Sequence, residues 1–314
     1  MIDAILYGNG FNQLNNNLSW DKLLSRSTKK SKMLVEIPPT IQYEMGVLDF
    51  LKDQDVIIKN SKFSREYNFK LDIVDELKKL KRCPLYDDLN SINVQLFLTP
   101  NYDYNINYRG KYDSVKDSSE NVYSIHRWYK ITEDKIVYPF HGEMAYPKTI
   151  QLGYDHYCGS LSRLDRYIKG SYLFNEKRTD PVPSMSERLK NSTDLCLGDF
   201  TKYTHGINNI LSWIDAFFFT NLHIIGFGMD FSEIDVWWLL NRRARMMADL
   251  NETISNKIVY YDVEPINNNN PKHLNKLELL KNFNVEVIRS SFNDENDYES
   301  RYREQIEKIK RSIE

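Results

Sequence analysis

Cysteine is scarce: Cys83, Cys158 and Cys196 are the only three in 314 residues. Three thiols cannot build a disulfide framework, and no two of them stand as a C-x-x-C pair, so neither a secreted scaffold nor a four-cysteine zinc module is encoded. No run of about 18 apolar residues exists. The nearest approach, Ile214 to Phe231, is interrupted by Asp215, Asn221, His223 and Asp230. No membrane partner is therefore expected. Met1-Ile2-Asp3 lacks the positive start of a secretory signal, and a cytoplasmic location with reduced thiols is the expectation. An excess of one charge is also missing. Lys+Arg number 42 against 44 Asp+Glu, a net charge of −2, whereas nucleic acid as main ligand calls for a clear basic surplus.

What is present is an ordinary folded composition with abundant aromatics: 41% hydrophobic, 27% charged and 13% aromatic, with 21 Tyr. The length suits one large α/β domain with an insertion. Short apolar runs at Ile2–Tyr7, Val94–Leu98, Leu222–Gly226, Lys257–Asp262 and Val285–Ile288 read as buried strands. Val122–Tyr129 and Ile136–Phe140 read as a further strand pair. Helical spacing is expected over Trp20–Ser25, Tyr43–Lys52, Ile73–Lys81, 233–250 and Tyr298–Ile313. In the fourth of these, Trp237, Leu240, Ala244 and Met247 form the expected buried stripe, and Ser232 with Asp235 has capping-box spacing. Strands alternating with helices predict a Rossmann-like parallel sheet with helices on both faces. That lobe is expected over 1–150 and 210–314, with a smaller, mostly helical insertion at 151–209. Tyr154, Tyr157, Tyr167 and Tyr172 either line the core of that insertion or form an interface. Arg242, Arg243 and Arg245 either answer a helix dipole or meet a nucleotide or an acidic partner.

Four strand ends carry polar or glycine-rich turns, and ligands of open α/β sheets bind beyond the carboxyl ends of the strands. Gly8-Asn9-Gly10-Phe11-Asn12 can bring backbone N–H groups close to a phosphate, or can simply be a tight βα turn. Thr99-Pro100-Asn101-Tyr102-Asp103 presents an amide and a carboxylate two residues apart, or an Asx turn. His141-Gly142 offers a base whose proton affinity lies near neutral pH, or a structural histidine. Gly226-Phe227-Gly228 repeats the glycine turn. Asp262 and Glu264 close the next strand, where an acid can take ribose hydroxyls.

In that order, the four motifs resemble the sirtuin-like superfamily, and most closely the sirtuin-like domains of bacterial anti-phage defence systems. The gap from Asn101 to His141 is 40 residues. The first turn also resembles an abortive-infection family that begins G-N-G-F-D. The sirtuin-like resemblance implies NAD as substrate, without a metal, and cleavage of the nicotinamide–ribose bond in abortive infection. It implies that Asn101 positions the ribose or the attacking water, that His141 is the catalytic histidine and that Asp103 lies near the nicotinamide carboxamide. Gly8, Gly10 and Gly226 would lie on the pyrophosphate side. Asn9, Phe11, Asn12, Thr99, Phe227, Gly228 and Asp262 complete the expected contacts. Pro100 stands where Thr or Gln is usual; it fixes φ and removes a donor, which bears on the pose of Asn101.

Two other functions compete. A non-catalytic subunit sensing ADP-ribose or a related nucleotide would use the same crevice. A protein deacylase would have to be zinc-free, given the scattered cysteines. An unrestrained NAD hydrolase would harm its own cell, so control by a partner protein or by homo-oligomerisation is expected.

Overall fold

The computed structural model describes residues 2–16, 23–24, 37–52, 64–107, 122–132, 134–173, 182–191, 212–249, 254–291 and 297–314. Seven strands form one sheet: β1 (Ile2–Tyr7), β2 (Leu96–Thr99), β3 (Tyr129–Lys130), β4 (Ile136–Pro139), β5 (Thr220–Ile225), β6 (Ile258–Asp262) and β7 (Glu286–Arg289). Their order is β3-β4-β2-β1-β5-β6-β7. All neighbours run parallel except the short edge strand β3, which pairs antiparallel with β4. Counted along the chain, the six parallel strands lie third, second, first, fourth, fifth, sixth across the sheet. That is the doubly wound order of the Rossmann fold, whose direction of winding reverses between its first and fourth strands. Here the reversal falls between β1 and β5.

Ten helices surround the sheet among the described residues: α1 (Gly10–Asn16), α2 (Pro39–Lys52), α3 (Arg65–Leu77), α4 (Leu85–Asn90), α5 (Tyr154–Ile168), α6 (Met185–Asn191), α7 (Trp213–Phe219), α8 (Ile234–Asp249), α9 (Pro271–Asn282) and α10 (Tyr298–Ile313). No described helix is long and apolar enough to cross a membrane. Alternate residues of a strand point to opposite faces, and along β1 each face meets its own core. Ala4 and Leu6 pack with Leu164 of α5, Phe217 of α7 and Leu239 of α8. Ile5 and Tyr7 pack with Phe11 of α1, Leu89 of α4 and Ile306 of α10. This double cover explains why the central strands read as mainly apolar runs and do not alternate apolar with polar.

A satellite core joins α2 and α3 through Tyr43, Val47, Phe69 and Ile73, and it packs against Tyr102 and Ile150. The described part of 151–209 joins both cores: Leu152 belongs to the satellite, and His156 meets Tyr43 and Glu66. Its helices α5 and α6 place Tyr167, Ile168 and Met185 in the main core. They are fastened there by the buried Arg188–Asp215 ion pair (2.7 Å), with the Tyr167 hydroxyl donating to the same carboxylate. Tyr157, Tyr167 and Tyr172 are buried, and only Tyr154 of that group is exposed.

Several elements differ from expectation. Of the expected 122–129 strand only Tyr129 pairs with the sheet, together with Lys130 just beyond it. Upstream, the Ile125 carbonyl accepts from the Ser212 hydroxyl (2.7 Å) and so serves the start of α7. Helix α3 begins at the Ser64 cap, well before Ile73, and ends at Leu77. Helix α9 was not anticipated; Asn270 caps it and Pro271 opens it. The buried side of α8 includes Val236, Trp237, Leu239, Leu240, Arg243 and Met246; Trp237 and Leu240 were expected there, whereas Ala244 and Met247 are only partly buried. Arg243 fits on the buried side because its guanidinium donates to the Asn256 backbone and side-chain oxygens (2.7 and 3.0 Å). Burial alone pulls the Arg243 pKa down, to about 10. The helix expected over Trp20–Ser25 lies outside the described residues, apart from Leu23 and Leu24.

Candidate active site

A cavity of about 940 Å³ opens at the carboxyl ends of β1, β5 and β6, over the point where the sheet order reverses. Asn9, Gly10, Pro100, Gly226, Phe227, Gly228, Glu233, Asp262 and Glu264 lie on its wall, and Tyr260, Tyr298 and Tyr302 add aromatic surface. Its size is at the upper end for a ligand pocket. Among the described residues the wall carries Asp230, Glu233, Asp262, Glu264, Asp297 and Glu299 against one ammonium, Lys276. Several of these acids have partners outside the wall. Asp262 faces His273 (3.0 Å) and Arg289 (3.3 Å), Asp230 faces Lys272 (3.3 Å), and Glu299 faces Arg303 (2.8 Å).

The first turn is locked to the turn after β5. The Gly8 N–H donates to the Ile225 carbonyl (3.2 Å) and the Gly10 N–H to the Gly226 carbonyl (2.9 Å). These two donors are therefore engaged within the protein, and the glycines serve close packing. A Cβ at Gly8 would stand 2.5 Å from the Phe227 Cα, and one at Gly10 would collide with the Tyr302 hydroxyl. Gly226 has φ +64°, a left-handed conformation suited to glycine. Phe11 is core, with its ring 4.7 Å from that of Tyr302 and 5.2 Å from that of Tyr86.

Asn12 and Asp103 join the first and second turns. The Asn12 amide donates to Asp103 Oδ2 (2.8 Å) and Asn9 Oδ1 (3.1 Å), while its oxygen accepts from the Tyr86 hydroxyl (3.0 Å) and Asn105 Nδ2 (2.9 Å). Asp103 Oδ1 accepts from the Asn105 N–H (2.9 Å). Burial raises the Asp103 pKa, against these donors. The geometry makes Asn12 and Asp103 a fastener between turns, with their polar atoms directed at each other.

Asn101 contrasts with them. Thr99 Oγ1 accepts its backbone N–H (3.1 Å), which sets the turn around Pro100. Its side chain is 1% exposed, yet neither Nδ2 nor Oδ1 has a hydrogen-bond partner. Leaving such a group unpaired in an interior costs about 1–3 kcal/mol, so it calls for a reason.

His141 stands beside it in the sheet order. Thr99 of β2 is in register with Pro139 of β4, so Asn101 and His141 each follow two residues beyond a paired position. Gly142 has φ +100° and lies against the Thr149 carbonyl, too close for a Cβ. His141 is buried, and both ring nitrogens face acids: Nε2 to Asp235 Oδ2 at 2.9 Å, and Nδ1 to Glu233 Oε2 at 3.7 Å. The Tyr157 hydroxyl donates to the same Glu233 oxygen (2.9 Å) and lies 3.5 Å from Nδ1. Burial disfavours the imidazolium, but Asp235 and Glu233 outweigh it and raise the His141 pKa. Burial, and then Asp235, push Glu233 up to about 7 against the pull of His141 and Tyr157.

His141, Glu233 and Asp235 bring ligating atoms within 4.8 Å of one another. The two carboxylates meet opposite ring nitrogens, Asp235 by a hydrogen bond and Glu233 by a longer ionic contact. Of the cysteines, the described pair Cys83 and Cys158 are free thiols.

The sequence reading missed Glu233, Asp235 and Tyr157. Asp235 was assigned to a capping box with Ser232, but the Ser232 N–H and hydroxyl both go to Asp230 Oδ1 (3.0 and 2.9 Å), and Asp235 turns to His141. The available signal was two acids, at 233 and 235, just beyond a strand end at the reversal point. Comparison with known proteins adds nothing to this geometry: no family model matches the chain, and no curated protein matches it.

Proposed function

We propose that this chain is an NAD⁺ glycohydrolase of the sirtuin-like type, which cleaves the nicotinamide–ribose bond to give nicotinamide and ADP-ribose. The observation that carries the reading is Asn101: a buried amide with both polar atoms unpartnered, two residues past β2 as His141 is two residues past the neighbouring β4, itself off the cavity wall on which its neighbour Pro100 lies. A ribose hydroxyl or a held water supplies what that amide lacks. The crevice at the sheet reversal, where doubly wound folds take dinucleotides, supports the same reading.

The residue chemistry follows from the bond to be broken. Nicotinamide leaves as a neutral molecule from a cationic ring, so departure needs little acid assistance. The positive charge that grows on the ribose is favoured by nearby oxygen dipoles and carboxylates. A wall rich in acids suits the pyridinium end of the substrate. The diphosphate is the harder part to hold, because the Gly8 and Gly10 N–H groups are engaged. Lys276 is the wall's ammonium; burial lowers its pKa, and its Nζ donates to the Gly228 carbonyl at 2.9 Å. The role in anti-phage defence, and restraint by a partner protein or by self-association, belong to this proposal through the resemblance alone.

Incubation of the purified chain with NAD⁺, alone and with proteins encoded beside it, tests the reading. Release of free nicotinamide that is lost in Asn101→Ala supports it. Tight binding of ADP-ribose with no turnover under any of these conditions overturns it in favour of a sensor.

A further inference from the structure

We propose that Glu233, and not His141, is the group that takes the proton from the attacking water, with His141 and Asp235 acting behind it as positioning residues. This rests on the NAD⁺ glycohydrolase reading.

Access separates the candidates. The His141 side chain is 2% exposed and that of Asp235 is fully buried, and neither lies on the cavity wall; Glu233 does, and keeps 13% of its side chain accessible. Orientation agrees with this order. One Glu233 oxygen is held from two sides, by the Tyr157 hydroxyl and by the Nδ1 edge of His141. The His141 ring is in turn held by Asp235 at Nε2 and by the edge of the Tyr157 ring, 5.1 Å between centroids. A carboxylate at the mouth of such a chain is fixed in direction, and its charge is balanced by an imidazolium in the interior.

The step balances without an added reagent. The C1′–N bond breaks and its electron pair passes to the pyridinium nitrogen, which releases neutral nicotinamide. A water oxygen bonds to C1′, and the water's proton passes to the Glu233 carboxylate. From there it leaves through the cavity, which returns Glu233 to its ionised form.

The charged and titratable groups around Glu233 come from several elements. His141 follows β4, Asp230 and Asp235 flank it on its own segment, and Tyr157 comes from α5. Tyr102 after β2 also lies within its field. His141 and Tyr157 both favour the ionised form, so removing either should make the carboxylate harder to ionise.

The test is the pH profile of NAD⁺ turnover by the whole chain for wild type, Glu233→Gln, Glu233→Asp, His141→Gln and Tyr157→Phe. The wild-type rate should rise with pH through a limb near 7. Glu233→Gln should lose about 10²–10⁴-fold and flatten that limb, with partial recovery in Glu233→Asp. His141→Gln and Tyr157→Phe should keep the limb and move it to higher pH. A limb that survives in Glu233→Gln and vanishes in His141→Gln overturns the proposal and makes histidine the base. If Glu233→Gln fails to fold, an unmoved limb in Tyr157→Phe overturns it equally. A wild-type chain without NAD⁺ turnover is the separate failure of the underlying reading.

Discussion

Glu233→Gln should make the protein more stable at alkaline pH while it disables the site. In the folded chain the carboxyl is carried from its ordinary 4.5 up to about 7. A group whose folded pKa is raised favours the folded state when protonated, and that contribution is lost as pH rises through the folded value. Below pH 4.5 the wild type holds a neutral acid and a neutral amide is a fair substitute. Between pH 4.5 and 7 the unfolded chain ionises readily and the folded chain resists. Above about pH 8 the folded wild type carries a buried carboxylate with the full burden, about 3 kcal/mol at 1.36 kcal/mol per pH unit. His141 and Tyr157 are already counted in that value, since both pull it down. For a chain of this size about 2 °C accompanies each kcal/mol, so a gap of roughly 5 °C is expected. Thermal melts of wild type and variant at pH 5 and pH 8.5 measure it. The curves should nearly coincide at pH 5 and separate at pH 8.5, the variant higher. An equal offset at both pH values, or a less stable variant at pH 8.5, would refute the reasoning.

Four further outcomes follow from the same coordinates. Asn101→Ala should not lower stability, since it removes no hydrogen bond made by the side chain and relieves an unpaired buried amide, yet NAD⁺ turnover should fall at least 10²-fold; urea melts and nicotinamide release check the two halves. Asn12→Ala breaks bonds to Asn9, Tyr86, Asp103 and Asn105 and leaves Asp103 short of a donor, so urea unfolding should show a loss of about 2–4 kcal/mol. Gly10→Ala sets a methyl against the Tyr302 hydroxyl and 2.8 Å from the Gly226 carbonyl; it should cost at least about 2 kcal/mol, and Tyr302→Phe added to it should restore only part. Arg188→Met leaves Asp215 buried without its cation, and urea unfolding should show a loss of about 3–5 kcal/mol.

The sheet was legible because both of its faces are covered. Central strands covered on both faces stand out as mainly apolar runs, and β1 begins and ends where its run does. Helix α10 was legible for the opposite reason: it has one wet face, and its charged and buried positions alternate at helical spacing. Helix α9 was not, because it is capped by Asn270 at the end of an asparagine-rich loop whose composition hides the start signal. The stripe of α8 shifts by one position in its second half, from Ala244 and Met247 to Arg243 and Met246. Arg243 is buried on the strength of Asn256, a partner thirteen positions away whose role no local pattern announces.

The site was half legible, and the division follows what each residue binds. Residues that must bend the backbone, such as Gly8, Gly10, Gly142 and Gly226, mark themselves by type. Type alone does not say whether a glycine approaches a phosphate or a neighbouring turn, and here Gly8 and Gly10 approach a turn. Asn12, Asn101 and Asp103 look alike in sequence as polar residues after strands. The structure separates them by partners: Asn12 and Asp103 satisfy each other, and Asn101 has both amide atoms open. His141 was chosen for its proton affinity, but what a histidine does depends on its two nitrogens, and both are taken by acids from α8 and the turn before it, more than ninety residues away. Those acids sat inside a plausible capping pattern and were explained by it. Replacing Asp235 with Asn distinguishes the two explanations. As a cap, Asn serves about as well as Asp, and α8 should keep its stability. As the anionic partner of His141, Asn cannot hold the imidazolium. The acid limb of turnover should then shift, because Glu233 loses a repelling neighbour on one side and gains a less firmly charged histidine on the other. A variant with unchanged stability and an unchanged pH profile would return Asp235 to the capping role and detach it from the site.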